Sequence, residues 1–387
     1  MRKIDPELQV TTCAHGETIK VIVFYNDKDK CREAIEREKL NITADISLIN
    51  AFVVEISYPK IYNLAEDKSV QYVSANLKVK TLMNISGKVV GARLLNSVGL
   101  TGKNVGIAVL DTGIYPHVDF TRPKNRIKAF ADFVSNFTTP YDDNGHGTYV
   151  AGIAAGNGLS SRGLYRGVAP DADIIAVKSM NSDGGGDTSN ILKGLQWVND
   201  NREKYNIKIL TLAFGADVRR FDREDALVKA VNKLWDRGVT VVVAAGNSGP
   251  AQRTINTPGI SPKVITVGST DDKRTLTVSD DVIANFSSRG PVSNNNIKPD
   301  IVAPGVDVIS LASNTAFVPG KRIKGLPGHT SMSGTSVSTP IVAGMCALLL
   351  ESNPTLTPDA IKTILKKNTI NITYDVNSEG SGLLHIR

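Results

Sequence analysis

The chain has 387 residues, of which 41% are apolar and 21% charged, with a formal net charge of +7. These proportions describe a globular protein and exclude both a disordered chain and a bundle of membrane spans. Lys and Arg are interspersed with acids, without a long basic run or an RNA-binding aromatic signature. The positive balance therefore reads as solvated surface, and neither nucleic acid nor membrane is expected as a partner.

The stretch Met1 to Lys20 is polar and lacks the apolar core of a signal peptide. No later run approaches the roughly 20 apolar residues needed to span a bilayer. Cys13, Cys31 and Cys346 are odd in number, widely spaced and fit no zinc pattern. Taken together, these features point to a reducing, cytoplasmic location.

Residues Thr18 to Tyr25 (TIKVIVFY) form a β-branched and aromatic run, and Asp27 to Leu40 has helical spacing of Cys31, Ala34 and Ile35. Two strand-like stretches around Asn50, a short helix over Ile61 to Asp67 and a last strand over Val70 to Val73 follow. The order βαββαβ predicts a small α+β domain over residues 1–83, ahead of a larger one over 84–387.

From Thr101 the pattern changes to continuous apolar runs alternating with helices. The runs are Val105 to Leu110, Ile174 to Val177, Ile207 to Phe214, Val239 to Ala245 and Val264 to Val267, with helices over Thr188 to Asn201 and Glu224 to Arg237. This alternation predicts an α/β fold with a doubly wound, mainly parallel sheet, whose ligands sit beyond the carboxyl ends of the strands.

Four polar residues stand at strand ends or helix starts. Asp111 ends the first run, just before a Gly turn, and His146 lies between two glycines ahead of the small-residue helix Tyr149 to Ala155. Asn247 ends VVVAAGN, and Ser336 opens an apolar helix reaching about Glu351, with Pro340 in its first turns, where a missing N–H costs little. Each has an ordinary reading: turn residues for Asp111 and Asn247, a helix cap for Ser336. Jointly they supply an orienter, a base, a nucleophile and an oxyanion donor, in the chain order Asp, His, Asn, Ser. An α/β-hydrolase would run Ser, acid, His and carry Gly-X-Ser-X-Gly, whereas the motif here is Gly-X-Ser-X-Ser.

With AVLDTGI around Asp111, NGHGTYVAG around His146, VAAGNSGP around Asn247, FSSRGP at 286–291, KPDIVAPG at 298–305 and SGTSVSTP around Ser336, the chain resembles the subtilisin-like serine proteases, or subtilases, over residues 88–387. YDDNGHGT, YRGVAP and NFSSRGP most resemble the intracellular, AprX-like branch. The resemblance implies a serine endopeptidase acting on polypeptides, with Asp111, His146 and Ser336 as its triad and Asn247 in its oxyanion hole. No cofactor is then required for the chemistry.

The same resemblance implies that Gly184, Gly185 and Gly186 form one edge pairing with an extended peptide, and Ala213, Phe214 and Gly215 the other. Ala244, Ala245 and Gly246 would form a wall of the S1 pocket, and Asn256 would stand at its base. Ala213 and Phe214 depart from the usual Ser-Leu, Asn256 from a frequent Gly, and Tyr149 from a second His. The first domain resembles an inhibitory, chaperone-like propeptide, and alignment of VQYV at 70–73 puts self-cleavage at Leu82–Met83, with Val79 at P4. Asp119 matches a family calcium ligand, but the loop that would complete the site is replaced by the Gly- and Ser-rich stretch Gly156 to Tyr165. Acid pairs such as Asp142-Asp143 leave a structural calcium elsewhere open.

Overall fold

The computed structural model describes residues 3–5, 8, 18–75, 83–216, 225–293, 296–317, 319 and 327–386. The chain divides into two compact units, Met1–Lys80 and Thr81–Arg387.

The first unit runs β1 (Thr18–Tyr25), α1 (Lys28–Arg37), β2 (Asn41–Ile46), β3 (Ala51–Ser57), α2 (Tyr58–Glu66) and β4 (Val70–Ala75), in an antiparallel sheet of order β2-β3-β1-β4. Val21, Val23 and Tyr25 alternate inward along β1 and meet Cys31, Ala34 and Ile35 of α1 and Ile61, Leu64 and Ala65 of α2. Asp27 caps α1 by accepting the Lys30 N–H at 3.2 Å. Helix α2 begins three residues ahead of the expected Ile61, because Pro59 sits in its first turn, where no N–H is needed.

The second unit starts with α3 (Met83–Val89) and α4 (Ala92–Ser97), then β5 (Gly106–Asp111), α5 (Val118–Thr121), β6 (Ile127–Asp132), α6 (His146–Ala155), β7 (Asp173–Lys178), α7 (Thr188–Asn201), β8 (Ile207–Leu212), α8 (Ala226–Asp236) and β9 (Thr240–Ala244). There follow β10 (Ile265–Asp271), β11 (Val282–Ile283), β12 (Ile301–Pro304), the hairpin β13 (Val308–Leu311) and β14 (His329–Met332), α9 (Thr335–Ser352), α10 (Pro358–Lys367), β15 (Thr369–Ile370) and β16 (Leu383–Leu384). The large sheet has the order β15-β16-β12-β10-β9-β8-β5-β7-β6. Its ladders from β6 to β16 are parallel, while β15 pairs antiparallel with β16, and β11 with β10. From β5 the chain goes out to the edge strand β6, comes back to β7 beside β5, and then crosses to the other side with β8. The order therefore reverses at β5, and the crevice beyond its carboxyl end is where a ligand site is expected.

Helix α9 packs against α6, β8, β9 and β10 and is buried along almost its whole length. By length and mean hydropathy alone it would pass for a membrane span, yet 78% of it is buried inside the protein. Pro340 is the sixth residue of this helix, in its second turn. Its missing N–H therefore leaves the Ser336 carbonyl without the usual donor four residues on. Strand β6 and helix α10 did not stand out in the sequence. The half-buried β6 (IKAFAD) lies at the edge of the sheet, and Lys128 and Asp132 break up its apolar residues.

Candidate active site

Asp111 is the last residue of β5 and is fully buried. Its Oδ1 accepts the Thr112 N–H at 2.8 Å and faces His146 Nδ1 at 2.8 Å. Its Oδ2 is buried without a partner among the described residues, the kind of unsatisfied acceptor that functional sites tolerate. The Asp111 contact places the His146 proton on Nδ1 and leaves Nε2 as an acceptor.

His146 is the first residue of α6, three residues ahead of the expected helix start, and the Asp142 carboxylate holds it there. Asp142 Oδ1 accepts from Gly145 N at 2.8 Å, Asn144 N at 3.2 Å and Thr112 Oγ1 at 2.9 Å. Its Oδ2 accepts from Thr148 N at 2.9 Å and Thr148 Oγ1 at 2.6 Å. An acid at a helix N-terminus also complements the dipole. Gly147 is needed because a Cβ there would lie 2.1 Å from the Gly113 carbonyl and 3.2 Å from Asp111 Cβ. Burial works against charge on the His146 imidazole, but the Asp111 charge, the Asp111 hydrogen bond and the Asp142 charge outweigh it. Its pKa therefore lies above the ordinary value.

On the other side, Ser336 occupies the first turn of α9, after Gly334 and Thr335. The Asn247 carboxamide is oriented by Thr335, whose N–H and Oγ1 both donate to Asn247 Oδ1, at 2.9 and 3.0 Å. That leaves the Nδ2 group as the free donor. A Cβ at Gly334 would stand 3.0 Å from Ser336 Oγ and 3.3 Å from Asn247 Nδ2, so both atoms face one small space. Ser336 Oγ has no hydrogen-bond partner among the described residues. Such bonds are often long in resting sites and tighten once substrate binds.

His146, Asn247 and Ser336 line one open cleft of about 510 Å³. Of the residues expected to bind substrate, Gly184, Ala213, Phe214, Gly215, Ala244, Gly246 and Asn256 also line it. Gly185 and Gly186 lie outside the lining, in a turn closed by Asn181 N to Gly185 O and by Gly185 N to Asn181 Oδ1 and Asp183 Oδ1. Ala245 sits behind the wall, packed with Ile255 and Ile260. Gly246, at φ +110°, admits Asn256 to the cleft, since a Cβ there would fall 2.2 Å from Asn256 Oδ1. Leu82 and Val79 lie outside the described residues, and Met83 is the first residue of α3.

Two buried residues frame this site: Lys178, which gave no signal in the sequence, and Tyr149, noted there only as a departure from the family pattern. Lys178 ends the apolar run of β7 and would pass for a surface charge. It is instead fully buried, donating to Thr112 O at 2.6 Å, Asp143 Oδ1 at 2.6 Å and Met180 O at 2.9 Å. It thereby ties the Asp111 turn to the loop before His146 and to the segment leading to Gly184. Tyr149 is also fully buried; its hydroxyl donates to Val308 O at 2.5 Å and accepts from Met332 N at 3.2 Å. It bridges the facing pair Val308 and Met332 of the β13–β14 hairpin and so links the helix bearing His146 to the segment before Ser336.

The acids considered for calcium are largely taken up by the protein's own donors, although Asp119 Oδ2 is buried without a partner among the described residues. Asp119 Oδ1 accepts the Ser160 N–H at 2.8 Å, Asp142 caps α6, and Asp143 pairs with Lys178. Among the described residues no group of three or more His, Cys, Asp or Glu is placed to hold a metal ion.

NMR titration of the His146 imidazole checks this electrostatic balance directly. The pKa should lie above the roughly 6.5 of an unperturbed histidine, and Asp111→Asn should bring it down. An unchanged value in the variant would remove Asp111 as the cause.

Comparison with known proteins agrees with the geometry. The Subtilase family (Peptidase_S8) matches residues 102–384. Serine protease AprX of Bacillus subtilis (strain 168) is 43% identical over 348 residues, covering 87% of this chain and 78% of that protein. Subtilisin BL of Lederbergia lenta is 38% identical over 288 residues, covering 74% of this chain and 91% of that protein. Among solved structures, sphericase superposes with a TM-score of 0.64 at 28% identity, covering 81% of this chain and 100% of that one. The chain belongs to the subtilase family and is a subtilisin-like serine endopeptidase.

Proposed function

We propose that Asp111, His146 and Ser336 form the catalytic triad of this protease, with Asn247 Nδ2 and the Ser336 N–H as its oxyanion hole. The observation that carries the reading is the paired hydrogen bonding of Asn247 Oδ1 by Thr335, which turns the carboxamide donor toward the space beside Ser336 Oγ. Ser336 Oγ attacks a peptide carbonyl while His146 Nε2 takes its proton. Asp111 holds the imidazole in its reactive tautomer and stabilises the cation that forms. The tetrahedral oxyanion is held by the two donors and collapses to an acyl-enzyme as His146 protonates the leaving amine. Water then hydrolyses the ester by the reverse proton route. No cofactor enters this scheme.

The substrate is an extended polypeptide laid along the cleft, pairing its backbone with the Gly184 segment and with Ala213 to Gly215. Phe214 adds apolar bulk beside the pocket, and Asn256 shortens and polarises its base. The first unit serves as an inhibitory propeptide, removed by self-cleavage at Leu82–Met83. Its βαββαβ order and its separation as a compact unit support this. Cys31 and Cys346 are free, buried thiols, in keeping with action in the cytoplasm.

Hydrolysis of a chromogenic peptide should be lost in Ser336→Ala. In Asn247→Ala, kcat should fall roughly a hundred- to a thousand-fold with little change in KM. That magnitude is the one known for this donor in subtilisin itself, so it is a family value. Activity surviving Ser336→Ala would refute the assignment. Intact-mass analysis of purified protein should show a fragment of residues 83–387 in the wild type and only the full chain in Ser336→Ala. Active wild type of undiminished mass would rule out self-processing.

A further inference from the structure

Away from the cleft, β10 and β11 carry an acidic pair that the catalytic scheme does not use. Their antiparallel register sets Thr270 opposite Ile283 and Asp271 opposite Val282, so the next facing pair is Asp272 and Asp281. Burial follows the same alternation: Thr270 and Ile283 are buried, Val282 is exposed, and Asp272 and Asp281 are 3% and 5% exposed. The two carboxylates therefore share the inward face of this ladder. Directly opposed side chains in such a pair have Cβ atoms only about 4.5–5.5 Å apart, and like charges there repel.

The protein's own donors answer only part of that charge. Asp272 accepts the Arg274 N–H on Oδ1 at 2.9 Å and the Ser86 hydroxyl of α3 on Oδ2 at 2.9 Å. Neighbouring Asp271 is paired with Lys273, and Asp280 with the Thr275 hydroxyl. Asp281 is different, because both of its oxygens are buried and neither has a hydrogen-bond partner among the described residues. The hydroxyl of Thr270, one pair along on the same inward face, is also buried and has no partner among the described residues. An isolated buried carboxylate is among the most costly groups a fold can hold, and it persists when paired with a cation or protonated. Consistent with an uncompensated charge, burial and the Asp272, Asp280 and Asp271 charges push the Asp281 carboxyl up to about 8.

We infer that Asp281 and Asp272, with the hydroxyls of Ser86 and Thr270 beside them, form a binding site for a calcium-class divalent cation between β10–β11 and α3. All four side chains offer oxygen, the donor that hard cations take. Calcium tolerates an irregular cage of protein oxygens, whereas magnesium retains several waters that so buried a face would not admit. A bound ion would cancel the carboxylate repulsion and, through Ser86, fasten α3 to the edge of the large sheet. This site is independent of the catalytic reading, so it can be tested in protein that cannot digest itself.

The test uses full-length Ser336→Ala protein freed of metal by chelator, with thermal unfolding followed as calcium chloride is added. Saturating calcium should raise Tm by about 3–5 °C. Adding Asp281→Asn should abolish that rise, while its metal-free Tm stays equal to or above the metal-free parent. Calorimetric titration should lose one calcium equivalent per chain in the same variant. Should Asp281→Asn fail to fold, Asp272→Asn makes the same comparison. An unchanged calcium response in the variants, or none in the parent, would overturn the site and leave Asp281 as a buried, protonated acid.

Discussion

The active cleft depends on a buried carboxylate that itself never reaches it. Asp142 accepts five hydrogen bonds, from Thr112 Oγ1 on the turn after Asp111 and from the backbone and Thr148 side chain at the start of α6. Thr112 Oγ1 closes the loop by accepting the Gly147 N–H at 3.0 Å. The turn after β5 and the first residue of α6 are thus locked together, and the 2.8 Å contact between Asp111 and His146 is set by backbone rather than by two free side chains. Lys178 secures the same turn from beneath. Pre-organisation of this kind lets a site act on charge as it develops without reorganising at that moment.

The other half is assembled by a parallel device. Thr335 fixes Asn247, its hydroxyl also accepts the Gly246 N–H at 3.1 Å, and Tyr149 pins the hairpin that delivers the chain to Gly334. Because Tyr149 belongs to the helix that begins at His146, the proposed base and nucleophile are referenced to one rigid element. A tyrosine in place of the family's usual histidine therefore has a structural role, with no bearing on proton transfer.

Much of this was legible in the sequence because parallel strands buried on both faces read as continuous apolar runs. Their polar ends then stand out, as Asp111 and Asn247 do. Glycine contexts exposed His146 and Ser336 for a related reason, since close backbone approach excludes side chains. The roles of Lys178, Asp142 and Thr335 were invisible because they exist only once distant segments meet. A lysine ending a strand and an acid in a polar loop look like surface until the fold buries them. Phe214 and Asn256 were found through departures from a family pattern, and both line the cleft. Gly185, Gly186 and Ala245 show that motif membership extends further than the cleft wall does. The Asp272–Asp281 pair required the β10–β11 register, which no local pattern announces.

The central claim is that this geometry makes the hydroxyl of Ser336, among all the serines of the chain, an activated nucleophile. Covalent labelling with a fluorophosphonate, followed by peptide mapping, tests it most directly. The wild type should give a single adduct on Ser336, and His146→Ala a severe loss of labelling rate. An adduct on another serine, or equal labelling without His146, would contradict it.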